Sequence, residues 1–327
     1  MDVLVSVVVL TYNSVQFVLE TLESIKEQTY TNIELIVSDD CSTDKTVQIV
    51  KEWVKQNKSR FINVCVVESD KNKGISSNAN RGLKKANGQY VKFIAGDDLL
   101  LPNCIMDNIK FAIENKSAFL FSKCKVFSSN DPQKNEIESY TIIQEKTEKY
   151  FNMSAKEQYK QLVRQNFVFA PSVFLNKQVL LELEGFDERF KYMEDYPLWL
   201  KATKNNIRLE FLSTFTVLYR VHNNTAVSYS TNENLYKKSF VEDAYKVYCL
   251  LRYPELNWLH RIDKQINFYI TRKVVNDKNT KKQFRQLSFL KLLSPLFYCQ
   301  FFIKFSVYRD GLYKKIIKVV KKNGNIS

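Results

Sequence analysis

The sequence predicts an α/β fold in which a mostly parallel sheet is flanked by helices and followed by a basic, helical C-terminal region. Buried, β-branched segments alternate with amphipathic helical segments through the first half of the chain. Polar residues cluster where the strand-like segments end, and most of the positive charge lies after Thr231. The chain has 327 residues and a hydrophobic fraction of 45%, which suits one large domain with an appendage.

The elements of the first half follow from this alternation. The continuous apolar run at 3–10 is typical of a strand that is buried on both faces. Asn13 or Ser14 is expected to cap the first helix, and Ser42 or Thr43 the second. The predicted strands are 3–10, 33–37, 64–67, 90–94 and 119–126, and the helices lie over 14–28, around 47–54 and over 76–86.

The second half is less regular. The polar stretch at 128–152 is expected to be a loop, and a helix near 154–165 and a strand near 172–175 follow it. A further helix opens near Glu194, and 216–220 is expected to form the last strand of this part. From 232 onward the sequence predicts helices that are rich in Lys, Arg, Tyr and Phe.

Three polar clusters fall at the carboxyl ends of predicted strands: Thr11-Tyr12-Asn13, Asp39-Asp40 and Gly96-Asp97-Asp98. Doubly wound sheets bind their ligands at this edge, so the clusters indicate one ligand site. We assign Asp39 to a contact with a nucleobase or ribose, because it precedes the expected helix cap. Asp44 is assigned to capping, since an acid is favourable in a first helical turn.

Asp97 and Asp98 are adjacent acids at a strand end. Carboxylates are ligands that a hard divalent cation prefers, and such a cation keeps positions open for phosphate. Gly-Asp-Asp is also favourable in a turn, and taken alone the two interpretations are about even. The second acidic strand end in the same sheet favours metal and nucleotide binding.

Further candidates lie along the chain. Gly74 precedes a helix that carries Asn80, and a glycine turn before a helix lets a ligand approach closely. Arg220 and His222 share a strand face; Arg220 suits a diphosphate, and His222 a metal ion or a diphosphate. Neither G-x-x-x-x-G-K-S/T nor G-x-G-x-x-G occurs, which disfavours P-loop NTPases and NAD enzymes. Glu194-Asp195 suits a general base, although taken alone a helix start is the better explanation of this pair.

Taken together, these motifs resemble those of family 2 glycosyltransferases with the Rossmann-like GT-A fold. The resemblance covers roughly residues 1–225. It rests on five motifs in a fixed order: VVVLTYN at 7–13, SDDCSTD at 38–44, Asn72 to Asn80, Gly96-Asp97-Asp98, and Gly185-Phe186-Asp187 with Glu194-Asp195.

The resemblance implies an inverting transferase of bacterial surface-polysaccharide biosynthesis. It would use a nucleotide diphospho-sugar, commonly a UDP-sugar, together with Mn²⁺ or Mg²⁺. The candidate residues are then Asp195 and Glu194 for catalysis; Thr11, Tyr12, Asn13, Asp39, Asp40, Gly74, Asn80, Asp97 and Arg220 for nucleotide binding; and Asp97, Asp98 and His222 for the metal.

Three positions depart from the family pattern. Ala95 replaces the first acid of the D-x-D element, Ala79 stands where an arginine is often found, and Cys41 stands where many relatives have glycine. Asp97 and Asp98 are therefore expected to do the work of the D-x-D acids, with the division between them open. Because of Ala95, a catalytically inactive module that binds a sugar nucleotide or a glycan is an alternative, and a nucleotidyltransferase is another.

The expected organisation is a catalytic domain over 1–228 and a helical, basic region over 229–327. Within the catalytic domain, a nucleotide-sugar half spans about 1–125 and an acceptor half about 126–228. The expected partners are a nucleotide-sugar donor and a glycan or lipid-linked acceptor, and nucleic acid is not expected.

The basic region has two interpretations of about equal weight. From Thr231 onward there are 20 Lys/Arg and 7 Asp/Glu, which give +13 of the formal +14. Residues 287–322 interleave apolar and basic residues too closely for a transmembrane helix, but suit an in-plane helix on anionic lipid. A helical subdomain packed on the catalytic domain is the other interpretation. The N-terminus lacks a signal-peptide pattern, so a cytoplasmic location is expected, peripheral at the inner membrane face in the first case.

Overall fold

The computed structural model describes residues 2–129, 137, 144–222, 237–276, 283, 285 and 287–294. The expectations for 130–136, 138–143, 223–236 and most of 287–322 lie outside the described residues. The strands are β1 (Val5–Thr11), β2 (Ile33–Asp39), β3 (Asn63–Glu68), β4 (Tyr90–Ala95), β5 (Leu99–Leu100), β6 (Phe119–Ser128), β7 (Phe174–Asn176) and β8 (Leu209–Val221).

These strands form one sheet with the order β3-β2-β1-β4-β7-β6-β8-β5. The first four strands are parallel to one another, and β6 is parallel to β8. The three-residue strand β7 lies antiparallel between β4 and β6, and β5 lies antiparallel to β8. The predicted fold class, a mostly parallel sheet flanked by helices, is thus confirmed.

The helices are α1 (Val18–Lys26), α2 (Thr46–Asn57), α3 (Ile75–Lys85), α4 (Cys104–Glu114), α5 (Ala155–Arg164), α6 (Lys177–Glu182), α7 (Asp195–Lys204), α8 (Lys238–Val247) and α9 (Trp258–Asn276). Among the described helices, none is long and apolar enough to cross a membrane.

Two predicted helix starts are wrong. The first helix begins at Val18 rather than at Asn13 or Ser14. The second begins at Thr46, and the side chains of Ser42 and Thr43 are turned towards other partners instead of capping it. Asp44 does serve the helix start as predicted, because its carboxylate accepts the backbone N–H of Thr46 at 2.9 Å.

Apolar side chains of the sheet divide between two core clusters, as expected when successive strand residues face opposite ways. Val8 of β1 lies in one cluster, whereas Val7 and Val9 lie in the other. The first cluster also contains Val247 and Leu256, so the chain after 237 packs on the same core as the sheet. The division of the chain at 228 remains a prediction.

Helix α3 lies unusually close to the sheet at the edge that carries the polar clusters. A Cβ atom on Gly82 would lie 2.4 Å from Cγ1 of Val8, so only glycine permits this separation. The first turn of α3 is thereby held beside the carboxyl ends of β1 and β2, where Ser38 donates its hydroxyl hydrogen to the side-chain oxygen of Asn78 at 2.7 Å.

Candidate active site

The carboxyl ends of β1, β2 and β4 bring the three polar clusters together. Thr11 pairs with Asp39 in the register of β1 and β2, and Leu10 pairs with Ala95 across β1 and β4. The Thr11 hydroxyl also donates to Oδ2 of Asp39 at 2.7 Å. The motifs that are separated in sequence therefore form one edge of the sheet.

Asp39 does not face this edge as an open acceptor. Its carboxylate accepts the Ser42 backbone N–H on Oδ1 at 2.7 Å and the Ser42 hydroxyl on Oδ2 at 2.6 Å, in addition to Thr11. The residue is only 1% exposed. Asp39 therefore fixes the loop after β2, and its predicted contact with a nucleobase stays a prediction.

Asp40 performs a similar task for the loop before α3. Its carboxylate accepts the backbone N–H of Gly74 at 2.7 Å and lies 3.2 Å from the guanidinium of Arg81. Gly74 has a φ of 91°, and a Cβ atom there would lie 2.7 Å from the carbonyl oxygen of Lys191. The described chain itself makes a close approach that requires glycine at this position, and the nucleotide-binding assignments of Asp40 and Gly74 stay predictions.

Asn80 also makes contacts within the chain. Its amide group accepts the Phe186 N–H at 2.9 Å and donates to the Phe186 carbonyl at 2.8 Å and to Glu188 at 3.0 Å. Three of the hydrogen bonds available to one amide are used in this way. Asn80 therefore connects α3 to the loop that leads towards Glu194, and its assignment to the nucleotide stays a prediction.

The exposed members of the first cluster are Tyr12 and Asn13. Tyr12 is 49% exposed, one of the more exposed large side chains of the described structure. Asn13 has a φ of 51° and accepts the Thr43 N–H on its side-chain oxygen at 2.8 Å. A rigid, exposed ring beside a sheet edge suits stacking on a planar base.

The acid that faces outward in the Gly-Asp-Asp element is Asp97. Its Oδ2 atom lies 2.8 Å from Nε2 of His222, and the imidazole ring lies 4.8 Å from the ring of Phe17. Ala95, at the end of β4, is exposed beside this pair. The structure therefore joins two candidate metal ligands that are 125 residues apart in the sequence.

Asp98 faces inward. It is 3% exposed, and its Oδ1 atom accepts the backbone N–H of Arg220 at 2.9 Å, while its carbonyl accepts the Thr21 hydroxyl at 2.8 Å. Burial, and next the neighbouring charge of Asp97, raise the pKa of Asp98 well above its ordinary value. Asp98 therefore positions the end of β8, and its predicted metal contact stays a prediction.

Arg220 is likewise enclosed. Its guanidinium carbon lies 4.5 Å from the ring centre of Phe17 and 4.8 Å from that of Phe127. The guanidinium donates to the carbonyl oxygen of Asp97 at 2.7 Å and to Glu20 at 3.1 Å, and the side chain is only 4% exposed. This arrangement fixes the backbone that carries Asp97, and the predicted diphosphate contact of Arg220 stays a prediction.

Two described side chains at this place could ligate a divalent metal ion. Among the described residues, there is no group of three His, Cys, Asp or Glu side chains that could hold a metal ion. Asp97 and His222 supply two donors, one carboxylate oxygen and one imidazole nitrogen. Such a pair suits an ion that takes its remaining ligands from phosphate and water, as Mg²⁺ and Mn²⁺ commonly do.

Glu194 and Asp195 stand at the start of α7 without serving as its cap. Glu194 occupies the N-cap position, and its side chain makes no capping hydrogen bond. Both residues are only partly exposed. Burial, and next the charge of Asp195, raise the pKa of Glu194 to about 8, and burial also raises the pKa of Asp195. The helix start explains Asp195 in part, because Asp195 is an acid in the first turn of α7.

The raised pKa of Glu194 predicts a pH-dependent stability. The folded protein holds a proton on this carboxyl between an ordinary pKa of 4.5 and about 8, whereas the unfolded chain has lost it. Folding stability from this group is therefore fully present at low pH and is lost as the pH rises through 8. We expect the Glu194→Gln variant to have a higher melting temperature than the wild-type protein at pH 9. At pH 5 the melting temperatures of the two proteins should be close to each other.

Thermal unfolding followed by circular dichroism across this range measures the effect. Glu182→Gln is the matched control, because Glu182 is an exposed acid on α6. A melting-temperature difference between Glu194→Gln and wild type that does not grow from pH 5 to pH 9 would contradict the prediction.

Several site residues were not found from the sequence. Arg81 donates to the Asp39 carbonyl at 2.9 Å and to Asn78 at 2.8 Å, in addition to Asp40. The family often has an arginine at the position of Ala79, and Arg81 lies two positions later. An arginine this close to the expected position could have identified Arg81 from the sequence. Glu20, which pairs with Arg220 across 200 residues, had no signal of this kind.

Residues 6–182 match the family model described as glycosyl transferase family 2. Among curated proteins, Escherichia coli WfaP is 27% identical over 260 residues, which cover 76% of this chain and 92% of WfaP. WfaP is named as a UDP-Glc:alpha-D-GlcNAc-diphosphoundecaprenol beta-1,3-glucosyltransferase. The uncharacterized glycosyltransferase MJ1057 of Methanocaldococcus jannaschii is 27% identical over 223 residues, or 67% of this chain and 71% of that protein.

Among solved structures, S. aureus TarS 1-349 in complex with UDP-GlcNAc superposes with a TM-score of 0.54 at 21% identity, covering 88% of this chain and 87% of that one. Against a longer TarS chain, the match covers only 43% of that chain. Mannosyltransferase PcManGT of Pyrobaculum calidifontis, in complex with GDP-Man and Mn²⁺, gives a TM-score of 0.53 at 17% identity, covering 89% and 69%. These likenesses show a shared GT-A fold.

Proposed function

Because the chain belongs to glycosyl transferase family 2 and is a glycosyltransferase, we propose that it transfers a sugar, with inversion, from a nucleotide diphospho-sugar to an acceptor hydroxyl. The observation that carries this proposal is the Glu194–Asp195 pair, two partly exposed adjacent carboxyls at the start of α7 whose pKa values are raised by burial. Such a pair is suited to accept a proton near neutral pH.

The donor that we propose is a UDP-sugar. WfaP is named for UDP-Glc, and TarS is solved with UDP-GlcNAc, which supports this choice. In this chain the exposed Tyr12 and Asn13 would line the nucleotide pocket. Thr11, Asp39 and Asp40 would lie behind them and hold the loops in place.

Asp97 and His222 would hold the metal, for which Mn²⁺ and Mg²⁺ are the candidates. When bound, such an ion stabilises the negative charge that develops on a departing diphosphate. Arg220 and Asp98 would support it indirectly, since the first holds the Asp97 carbonyl and the second holds the end of β8.

The chemistry that we assign to Asp195 is general-base catalysis. An acceptor hydroxyl is a weak nucleophile near neutral pH, so the Asp195 carboxylate takes its proton as the oxygen attacks the anomeric carbon. The bond between that carbon and the diphosphate oxygen breaks in the same displacement, and its electron pair leaves with the nucleotide diphosphate. One displacement inverts the anomeric centre.

A panel of nucleotide sugars with Mn²⁺ tests the proposal, with release of the nucleotide diphosphate as the readout. We expect turnover with at least one UDP-sugar and none with the nucleoside triphosphate in its place. Tight binding of a nucleotide sugar without turnover, on any glycan or lipid-linked acceptor tried, would favour the inactive binding module. Release of pyrophosphate from a nucleoside triphosphate and a sugar phosphate would instead favour a nucleotidyltransferase.

For the acceptor we propose a glycan or a lipid-linked glycan of surface-polysaccharide biosynthesis, reached at an anionic membrane surface through the C-terminal region. The name of WfaP specifies a diphosphoundecaprenol acceptor for that protein. In this chain Trp258, Tyr269 and Phe289 are 64%, 59% and 62% exposed, and the surrounding region carries the excess of Lys and Arg. Exposed aromatic residues among basic ones are typical of surfaces that bind anionic lipid.

We accordingly expect the full-length protein to float with vesicles that contain anionic lipid at low salt, and to be released as salt is raised. Vesicles of neutral lipid are the matched control. Replacing Trp258 and Phe289 with Ala is expected to weaken flotation. Equal recovery with anionic and neutral vesicles, or none with either, would remove the membrane and the inner-face location from the proposal.

A further inference from the structure

The loop before the Glu194–Asp195 pair is held by a side chain from helix α8. Asp243 lies on that helix and is only 2% exposed. Its Oδ2 atom accepts the backbone N–H of Tyr192 at 2.7 Å, and its Oδ1 atom pairs with Lys246 at 3.1 Å. Tyr192 precedes Glu194 by two residues, so this hydrogen bond acts directly on the backbone that carries the pair.

The side chain of Tyr196, the residue immediately after the pair, contacts an arginine from the same part of the chain. Arg252, which is 7% exposed, donates to the carbonyl oxygen of Val163 at 2.8 Å and also to that of Arg164, at the end of α5. Its guanidinium carbon lies 5.4 Å from the ring centre of Tyr196, and the Tyr196 hydroxyl donates to the Leu162 carbonyl. The residue that follows Asp195 is therefore fixed between α5 and Arg252.

A third set of contacts fixes the other side of the loop. The Lys191 carbonyl accepts the Ile75 N–H at 2.7 Å, and the Phe190 carbonyl accepts the Ser76 hydroxyl. The segment from Phe190 to Tyr192 thus runs between the first turn of α3 and helix α8. If Asp243 were removed, that segment would keep its contacts with α3 and lose those with α8.

We propose that Asp243 is a positioning residue for the Glu194–Asp195 pair, with Arg252 holding the pair from its other side, so that the C-terminal region takes part in catalysis. This inference rests on the proposed role of the pair as the base. Removing the acceptor leaves the Tyr192 N–H unpaired, which lets the loop move. A displacement of about 1 Å in a reacting group is enough to lower turnover on the order of 10²-fold.

Three variants test the proposal in the full-length protein with its UDP-sugar. Asp243→Ala removes the acceptor, and we expect kcat to fall about 10- to 100-fold while the affinity for UDP changes less than about twofold. Asp243→Asn keeps a side-chain oxygen in reach of the Tyr192 N–H and is expected to recover most of kcat. Lys246→Ala is the matched control, because it removes only the exposed ion-pair partner and should retain the wild-type kcat.

Hydrogen exchange gives a readout that does not depend on activity. The Tyr192 amide is expected to exchange slowly in the wild type and in Asp243→Asn, and much faster in Asp243→Ala, with little change in β1. If no UDP-sugar is turned over by the wild type, the proposed function fails while this measurement still reports on the contact.

Several outcomes would overturn the inference. One is a folded Asp243→Ala protein with wild-type kcat, and another is a loss of kcat that Asn does not recover. A fast-exchanging Tyr192 amide in the wild type would remove the contact itself. If Asp243→Ala does not fold, Asp243→Ser carries the test, because its shorter side chain does not reach Tyr192, and wild-type kcat in that variant overturns the proposal equally.

Discussion

Replacing Asp195 with Asn is expected to lower kcat about 10²- to 10⁴-fold, which is the range that a general base contributes. Asparagine preserves the size of the side chain and cannot take a proton from an acceptor hydroxyl. The affinity for UDP is expected to stay within a factor of about two. The residues that we propose to line the nucleotide pocket, Tyr12 and Asn13, lie on the loop after β1, whereas Asp195 lies on α7. Steady-state kinetics with the best UDP-sugar of the panel, and calorimetric titration of UDP, measure the two quantities.

The surface variant Glu182→Gln controls for the loss of one negative charge and should retain the wild-type kcat. In the wild type, kcat/KM should rise as the pH rises through the pKa of the base, since the base must be ionised and burial raises the pKa of Asp195 above its ordinary value. Asp195→Asn that keeps more than about a third of the wild-type kcat would assign the base to another residue, and Glu194 would be the first to test.

Replacing Asp97 with Asn is expected to lower kcat by about 10²-fold or more, because charge stabilisation of a leaving group commonly contributes on this scale. Asp97 supplies a partly exposed carboxylate 2.8 Å from His222, and an amide is a much weaker ligand for a hard cation. The Mn²⁺ concentration that gives half-maximal activity should rise in the same variant. Initial rates across a Mn²⁺ series measure both effects.

Ala95 offers a gain-of-function counterpart. It is exposed at the end of β4, two residues before Asp97, and Ala95→Asp restores an acid to the D-x-D element. We expect this variant to need less Mn²⁺ for half-maximal activity than the wild type. Wild-type activity that persists unchanged in excess EDTA, after exhaustive dialysis against it, would remove the metal from the mechanism altogether.

Much of the fold could be predicted from the sequence, because buried strands and helix faces produce a regular pattern of apolar residues along the chain. The strand predicted at 33–37 is apolar except for Glu34, and its observed bounds, Ile33–Asp39, differ by only two residues. Strand β7 is harder, because three residues give almost no periodicity and its partners Lys92 and Leu120 are remote in sequence. The start of α1 was misplaced because Asn13 is used by the Thr43 loop rather than by a helix.

For the site, the sequence located the strand ends, although it did not show which way each side chain points. Asp39 and Arg220 were assigned to a ligand because their residue types suit one. Both are buried by partners that a sequence motif does not specify, Ser42 in the first case and Phe127 in the second. Asp97 and His222 were both assigned to the metal, but only the structure shows their contact.

The contact between Asp243 and Tyr192 also bears on the order in which the protein is made. On the ribosome, every residue that we assign to donor, metal and base has been translated once His222 is in place. The Tyr192 N–H still lacks its acceptor at that moment, and the carbonyls of Val163 and Arg164 still await Arg252. A nascent chain, or a gene fragment that stops at codon 228, therefore contains every residue that we assign to donor, metal and base. It still lacks Asp243 and Arg252, which position the base.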